Sequence, residues 1–535
     1  MKRSYFQPKK IKENLFALSA EYKEKVRLSS YIGKKGYTIP KSVIEERDMD
    51  ALKKDLFMTP QLQFGIKMGA DISSFPVWRE NDNKLYIPRF YGVSRYGLPE
   101  RSELDAGESI NIRFMKPLRD YQEKIIKVYL DYVSKTLDGS GAPGGGGAIL
   151  EVPCGRGKTV MALKIISELS KKTLILVHKE FLMNQWIERI EEFLPSARVG
   201  KIQGSTFEVE GKDIVIGMIQ TMYSRDFHAN TFSPFGLTIV DEVHRIGSEE
   251  FSKTLLKTIT PYMLGISATV ERKDGLTRIL NMFIGEKIYS EERSSEDLVC
   301  VRGIEYISSD PEFNENEVDW KGDPKFSTMI SKICDFGPRS DFIVRIIKDL
   351  ILENPENQIM ILAHNRSLLK YLYEAIEHQG TASVGYYVGG MKEHVLKETE
   401  GKQIVLATYA MAAEALDIKT LSTLVMVTPK TDIEQSVGRI LRTRHENPIV
   451  VDIIDKHDTF QNQWRKRKTF YRKCNYRIIV TDSNKYNGMK EFDKWKLAFE
   501  PKTKTIEYED ESEEMPAKCF LKLTPSLKLP STLQK

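Results

Sequence analysis

Cysteine is scarce in this chain: five in 535 residues, at positions 154, 300, 334, 474 and 519. No two stand at the close spacing of a zinc site, and their scatter argues against a disulfide framework and for a reduced, intracellular compartment. Histidine is nearly as rare, with eight in all. Neither His244 nor His364 has a second histidine or cysteine at ligand spacing, which speaks against a histidine-held metal. Long apolar runs are missing too; nothing approaches the roughly 20 residues that span a bilayer. The first ten residues, Met1 to Lys10, lack the apolar core of a secretory signal, so a soluble protein is expected. A dominant sign of charge is also absent. The 80 basic and 75 acidic residues leave a net charge of +5, so any grip on phosphate must come from local patches.

What is present is a phosphate-binding pattern. Ile149 to Val152 is a short apolar run; Pro153, Cys154, Gly155, Arg156 and Gly157 form a small-residue turn; Lys158 and Thr159 open an amphipathic helical stretch. Small residues let backbone N–H groups close on a triphosphate, and a helix N-terminus adds its positive end. Lys158 can reach the β- and γ-phosphates, and the Thr159 hydroxyl can ligate Mg²⁺. Val152 replaces the first glycine of the full motif. A plain strand–turn–helix is the alternative for this segment taken alone.

A second half of the same site follows downstream. Leu237 to Val240 is an apolar strand candidate ending in Asp241 and Glu242. At the carboxyl end of a parallel strand, Asp241 would sit beside the phosphate loop and hold Mg²⁺ through water, while Glu242 would polarise the attacking water. A solvated acidic turn is the bland reading, but two matching halves of one site seldom coincide by chance.

In motif order, residues from about Lys116 to Arg477 resemble a superfamily 2 helicase or translocase, with Asp241 to His244 as a variant of the DEAH box. The resemblance implies that Gln122, in the segment Pro117 to Gln122, reads adenine. It implies motif Ia at Leu174 to Lys179 with Gln185 and Trp186, motif Ic at Gly217 to Thr221, and motif III at Gly265 to Thr269. Ser267, Ala268, Thr269 and His244 are then expected to couple hydrolysis to domain movement. Motif IV resembles Ile359 to Asn365, and motif V resembles Ala407 to Ile418, with Asp417 expected at the nucleotide. Ala415 departs from that pattern, because glycine is common there and alanine would strain a positive φ. Motif VI is similar to Gln435 to Arg442. His178, Thr221, Asn365 and Thr408 occupy family positions that touch the backbone of the tracked strand. Hydroxyl, amide and N–H donors to phosphate suit movement that ignores sequence.

The motif I sequence and Arg272 to Asp274 are most similar to the XPB-type branch, including relatives from phages and large DNA viruses. Lys273 stands where a glutamate is usual. A viral origin would place the protein in the nucleus or cytoplasm of an infected cell, or in the virion.

Arg439 and Arg442 have a physical rationale. Phosphoryl transfer spreads negative charge over oxygens, and planar guanidinium groups offer fixed donors to them. Three apart on an expected helix, with Gln435 one turn earlier, they would share a face.

The fold expected is α/β: two tandem RecA-like, doubly wound parallel-sheet domains, a small N-terminal α+β accessory domain and a disordered C-terminal tail. The expected boundaries are 1–112, 113–305, 306–480 and 481–535. Asp138 to Gly147 is glycine-rich and reads as a flexible surface loop. Glu291 to Asp335 reads as a polar connector carrying a strand, and Glu507 to Glu514 as an acidic tail segment. The run Trp464 to Lys473 has no acidic residue. Its cations, among them Arg465, Lys466 and Lys468, alternate with aromatics, which suits phosphate gripping and base stacking. A helix with packed aromatics and solvated cations fits it equally well.

The reading reached from sequence is an ATP- and Mg²⁺-dependent translocase or helicase on duplex or forked DNA, in transcription, repair or recombination. Protein partners are expected through the N-terminal domain or the acidic tail. An RNA-dependent ATPase and a non-catalytic nucleic-acid scaffold are the alternatives. A nuclease-coupled motor is weaker, since no acidic-lysine nuclease cluster is evident.

Overall fold

Five strands of the first lobe are apolar along nearly their whole length: Gly147–Glu151, Thr173–Val177, Ile214–Met218, Leu237–Asp241 and Tyr262–Ser267. Such continuous runs mark parallel strands buried on both faces. The computed structural model describes residues 17–60, 74–135, 145–153, 155–228, 230–243, 248–270, 276–291, 299–320, 322–414, 418–441, 445, 447–489 and 494–501. It contains two eight-stranded, mainly parallel sheets, each in its own compact unit.

In the first sheet the order is Thr206–Phe207, Val199–Gln203, Ile214–Met218, Thr173–Val177, Leu237–Asp241, Tyr262–Ser267, Gly147–Glu151, Glu286–Ser290. Every neighbouring pair is parallel except the edge hairpin Val199–Gln203 with Thr206–Phe207. Alternate residues feed two different cores. Ile149, Leu174, Leu176, Val215 and Val240 face one, and Ala148, Leu150, Ile175, Val177, Ile216 and Ile239 face the other. The second core is closed by the helices Asp120–Lys135, Lys158–Leu169 and Glu180–Phe193, the last through Leu182, Met183, Trp186 and Ile190 at helical spacing.

The first core is closed in large part by the N-terminal residues. A five-stranded sheet and the helices Ala20–Ser29, Glu46–Asp55 and Arg89–Tyr96 contribute Tyr37, Ile39, Leu52, Leu85 and Ile87 to it. This segment therefore shares its hydrophobic core with the first lobe. Arg89 fastens the joint: its fully buried guanidinium donates to the carbonyls of Thr260 (3.2 Å), Pro261 (2.9 Å) and Gly145. Arg278 and Asp55 add an ion pair.

The second sheet runs Val384–Tyr387, Ile404–Thr408, Gln358–Ala363, Leu421–Met426, Ile449–Asp455, Cys300–Tyr306, Arg477–Asp482, Lys496–Phe499. All neighbours are parallel except the last pair. Two of the expected boundaries, 305/306 and 480/481, fall inside strands. Cys300–Tyr306 pairs on both sides within this sheet, so the second lobe begins before residue 306. Lys496–Phe499 extends the sheet past residue 480. The strand expected within the polar connector is thus an interior strand, disguised by Arg302, whose charge is neutralised by bidentate donation to Glu353 at 2.5 and 2.7 Å. The glycine-rich stretch up to residue 144, Arg272 to Asp274, and Glu507 to Glu514 lie outside the described residues.

The basic run forms the helix Asp458–Lys473. Trp464 and Tyr471 are buried against the sheet, and so is Arg467. Arg467 makes a bidentate pair with Asp452 at 2.7 and 2.8 Å and donates to the Lys430 carbonyl at 2.8 Å; Tyr471 donates to Asp452 at 3.1 Å. One cation of the run is therefore structural, while Arg465 and Lys466 are exposed. Removing one member of a buried pair strands the other charge, at a cost of about 3–5 kcal/mol. Arg467→Ala should accordingly lower the urea midpoint of the second lobe. Arg467→Met combined with Asp452→Leu should recover most of the loss. Urea titrations of the three proteins, followed by circular dichroism, check the ordering.

Candidate active site and nucleic-acid face

Register decides where the first lobe's functional side chains meet. Asp241 pairs with Ile266 and Ser267 pairs with Glu151, so three adjacent strands end level at one edge of the sheet. Ligand sites in open parallel sheets lie outside the carboxyl ends of the strands. The strand carrying motif III separates the other two, and the Val152 N–H donates to the Ser267 carbonyl at 2.9 Å. Glu151 adds a second tie by accepting the Val270 N–H at 2.7 Å.

Beyond Val152 the chain turns through Gly155 and Gly157, with φ of +84° and +78°. Side chains would be strained at both, which explains glycine there. Lys158 and Thr159 then begin the helix Lys158–Leu169. Lys158 Nζ donates to Glu242 Oε1 at 3.1 Å, so the lysine and the second carboxylate of the pair are direct neighbours. Glu242 itself has φ of +50°, a left-handed conformation that costs a non-glycine residue of order 1–3 kcal/mol and that clusters at functional sites. Asp241 is buried, and its carboxyl is pushed upward by that burial and by the charge of Glu242, with Lys158 opposing. Its Oδ2 accepts a hydrogen bond from Trp186 Nε1 at 2.9 Å.

The donor set fits a magnesium triphosphate. A lysine, a helix N-terminus behind two positive-φ glycines, a hydroxyl and a carboxylate supply cationic and N–H groups for phosphate and hard oxygens for the cation. Gln122 lies in the first turn of Asp120–Lys135, the helix beside Lys158–Leu169, and its Oε1 accepts the Arg119 N–H at 3.0 Å. In motif III, Ser267 is fully buried and its hydroxyl donates to the Thr269 carbonyl at 2.6 Å, which closes a tight turn over Ala268. His244 lies outside the described residues.

The residues expected on the nucleic-acid backbone fall into two similar arrangements. Val177 pairs with Met218, which puts His178 and the helix Ile219–Ser224 at neighbouring strand ends. Gln220 donates to the His178 carbonyl at 2.9 Å, and the Thr221 hydroxyl accepts the Gly204 N–H at 2.9 Å. In the second lobe Ala363 pairs with Thr408, so Asn365 and Thr408 are again at neighbouring strand ends. Asn365 precedes the helix Arg366–Gln379 and its Nδ2 reaches Ser331 Oγ at 3.4 Å. Its neighbour His364 shares a hydrogen bond between Nδ1 and the Thr428 hydroxyl at 2.9 Å. Burial and the charge of Lys430 push the imidazole down to about 4. Among the described residues, no group of three or more histidines, cysteines or carboxylates could hold a metal ion.

Motif VI departs from the single helix expected for it. A four-residue helix, Glu434–Val437, gives way to a 3₁₀ turn, Gly438–Leu441. The tighter winding changes the face on which each residue points, so the helical spacing of Gln435, Arg439 and Arg442 does not carry over. Arg439 is buried and its Nε donates to the Ala412 carbonyl at 2.7 Å, which ties motif VI to the helix Tyr409–Glu414 of motif V. Arg442, Asp417 and the Gln435 side chain lie outside the described residues, as does Ala415. On the basic helix, Arg465 bonds Asn462 at 2.7 Å and Lys468 lies 5.8 Å from the Trp464 ring.

Two residues gained structural roles that motif matching left unassigned. Arg467 reads as one more cation in a basic run. Trp186 reads as part of motif Ia, but a tryptophan spaced with apolar residues on a buried helix face must find an acceptor for its N–H, and that was the available signal.

Comparison with known proteins agrees with this geometry. Residues 115–272 match the family model of the type III restriction enzyme res subunit, and residues 343–445 match the helicase conserved C-terminal domain. A protein of Acanthamoeba polyphaga mimivirus named "Putative ATP-dependent RNA helicase" is 34% identical over 83% of this chain and 85% of its own length. A protein of African swine fever virus with the same descriptive name is 28% identical over 68% of this chain and 74% of its own length. A "Putative helicase" of Invertebrate iridescent virus 6 is 26% identical over 72% of this chain and 88% of its own. With the phosphate loop, the carboxylate pair and two RecA-like sheets in place, the chain belongs to the superfamily 2 helicases and is an ATP-hydrolysing enzyme.

Proposed function

We propose that this helicase is a translocase of the XPB-type branch that uses ATP and Mg²⁺ to move along duplex or forked DNA. The observation that carries the chemistry is the contact of Lys158, at the start of its helix, with Glu242 beside the buried Asp241 at its strand end. Lys158 would exchange Glu242 for the β- and γ-phosphates when nucleotide enters. Released, Glu242 would orient and polarise the attacking water. Thr159 and Asp241 would hold Mg²⁺, which supplies charge neutralisation at the phosphate oxygens. Gln122 would recognise adenine through its amide, and Asp417 would complete the nucleotide contacts.

Arg439 and Arg442, with Gln435, would supply transition-state charge from the second lobe. Nucleotide would then close the two lobes and hydrolysis would release them, through Ser267, Ala268, Thr269 and His244. His178 and Thr221 on one lobe, and Asn365 and Thr408 on the other, would hold successive phosphates of one strand. Arg465, Lys466 and Lys468 would add a second, purely electrostatic grip. RNA is the second reading, favoured by the names of the two viral relatives described as RNA helicases. ATP turnover measured side by side with duplex DNA, single-stranded DNA and RNA decides between them: DNA translocation requires that duplex DNA stimulate most strongly.

Lys158→Ala should remove most triphosphate binding, whereas Glu242→Gln should bind ATP and fail to split it, because one side chain meets phosphate charge and the other meets water. Equilibrium nucleotide binding together with phosphate release checks both. Near-normal turnover by Glu242→Gln would sink the assignment.

Arg439→Ala or Arg442→Ala should slow hydrolysis by about a thousandfold if either side chain acts as an arginine finger, with much less change in ATP affinity. Single-turnover rates at saturating ATP make the distinction. Wild-type rates in both would leave Arg439 only its bracing of Ala412.

Charge reversal at Arg465, Lys466 and Lys468 should weaken DNA binding and flatten its salt dependence. Each lost phosphate contact lowers the log–log slope by about 0.9 on duplex DNA. Titrations across salt concentrations, with a melting curve for each variant, measure it. An unchanged slope in a folded protein would assign the helix to packing alone.

A further inference from the structure

Trp186 has only one polar atom, and the fold spends it on the carboxylate at the centre of the site. The side chain is 1% exposed. It lies on the helix Glu180–Phe193, whose other inward residues, Leu182, Met183 and Ile190, are all apolar. Buried indole N–H groups need an acceptor, and a backbone carbonyl would serve. Here the acceptor is Asp241 Oδ2, at 2.9 Å, and the same carboxylate also accepts the Glu242 backbone N–H. A bond to an ionised acceptor is about twice as strong as a neutral one, and it fixes one of the two carboxylate oxygens in direction as well as in place.

That geometry matters for a carboxylate that must serve a hard cation. Such a group offers one oxygen to the ion or its water shell, and its orientation depends on whatever holds the other. We propose that Trp186 is a positioning residue for Asp241, holding Oδ2 through its N–H and so setting the orientation in which the carboxylate meets Mg²⁺. The proposal rests on the reading of Asp241 as the cation-binding carboxylate. It assigns Trp186 no contact with nucleotide, cation or nucleic acid.

The test uses the full chain and ADP, titrated with Mg²⁺ and again with EDTA. Four proteins are compared: wild type, Trp186→Phe, a form carrying the benzothiophene analogue of tryptophan at position 186, and Asp241→Asn. The analogue keeps the shape of the indole and loses only the N–H, so it reports the bond even if phenylalanine leaves a damaging cavity. The expected result is that Mg²⁺ strengthens ADP binding about tenfold less in both position-186 variants than in wild type, the scale on which outer partners of metal ligands act. ADP affinity in EDTA should stay within about twofold. If both variants keep the wild-type enhancement while Asp241→Asn loses it, the role of Trp186 is overturned. Equal weakening with and without Mg²⁺ also overturns it, in favour of packing. Survival of the enhancement in Asp241→Asn, or its absence from wild type, overturns the reading of Asp241 beneath it.

Discussion

The register of three parallel strands is the constraint on which the site depends. Gly147–Glu151, Tyr262–Ser267 and Leu237–Asp241 are hydrogen-bonded side by side and end level. A slip of one residue would turn every side chain to the opposite face. The phosphate loop, motif III and the carboxylate pair would then no longer share an edge. The bond from the Val152 N–H to the Ser267 carbonyl extends this register one residue beyond the strands, to where the loop begins its turn. Because motif III lies between the other two strands, it cannot shift without disturbing both.

Burial of charge serves two purposes in this protein, and partner count separates them. Asp452 receives both arms of Arg467 and the hydroxyl of Tyr471, so little of its hydrogen-bonding capacity is left for a ligand. Asp455 is similarly matched by Arg339 at 2.6 and 2.8 Å. These pairs lock the second sheet to its helices. Among the described residues, Asp241 has no such bidentate partner. Its carboxylate accepts the Trp186 indole N–H and the Glu242 backbone N–H, and Lys158 is bonded to Glu242.

Much of this was legible in the chain. The phosphate loop, the Asp241–Glu242 pair and the alternation of apolar runs with helical stretches announce two parallel-sheet lobes. Those signals are local, since each depends on residues within one strand and its following turn. The failures were of another kind. The strand expected in the polar connector was not recognised as an interior strand of the second lobe, because Arg302 looks solvated until Glu353 is brought against it. Arg467 was indistinguishable from Arg465 or Lys466, because helical position alone does not say which cation the packing turns toward Asp452 on the strand just before the helix. Motif VI was expected as one helix, but the chain tightens at Gly438 and Arg439 turns inward to Ala412.

Sequence by itself therefore determined the two parallel-sheet lobes, and it nominated the residues proposed to meet phosphate, cation and water. Periodicity and motif spacing hold that information because strand–turn–helix units form from neighbouring residues. Tertiary structure alone decided three things: that the N-terminal residues complete a face of the first sheet, which cations of the basic helix are buried, and that Trp186 meets Asp241. Each joins different elements: 15 residues separate Arg467 from Asp452, and 55 separate Trp186 from Asp241. Such contacts are set by the packing of whole elements, and no local pattern in a single sequence encodes them.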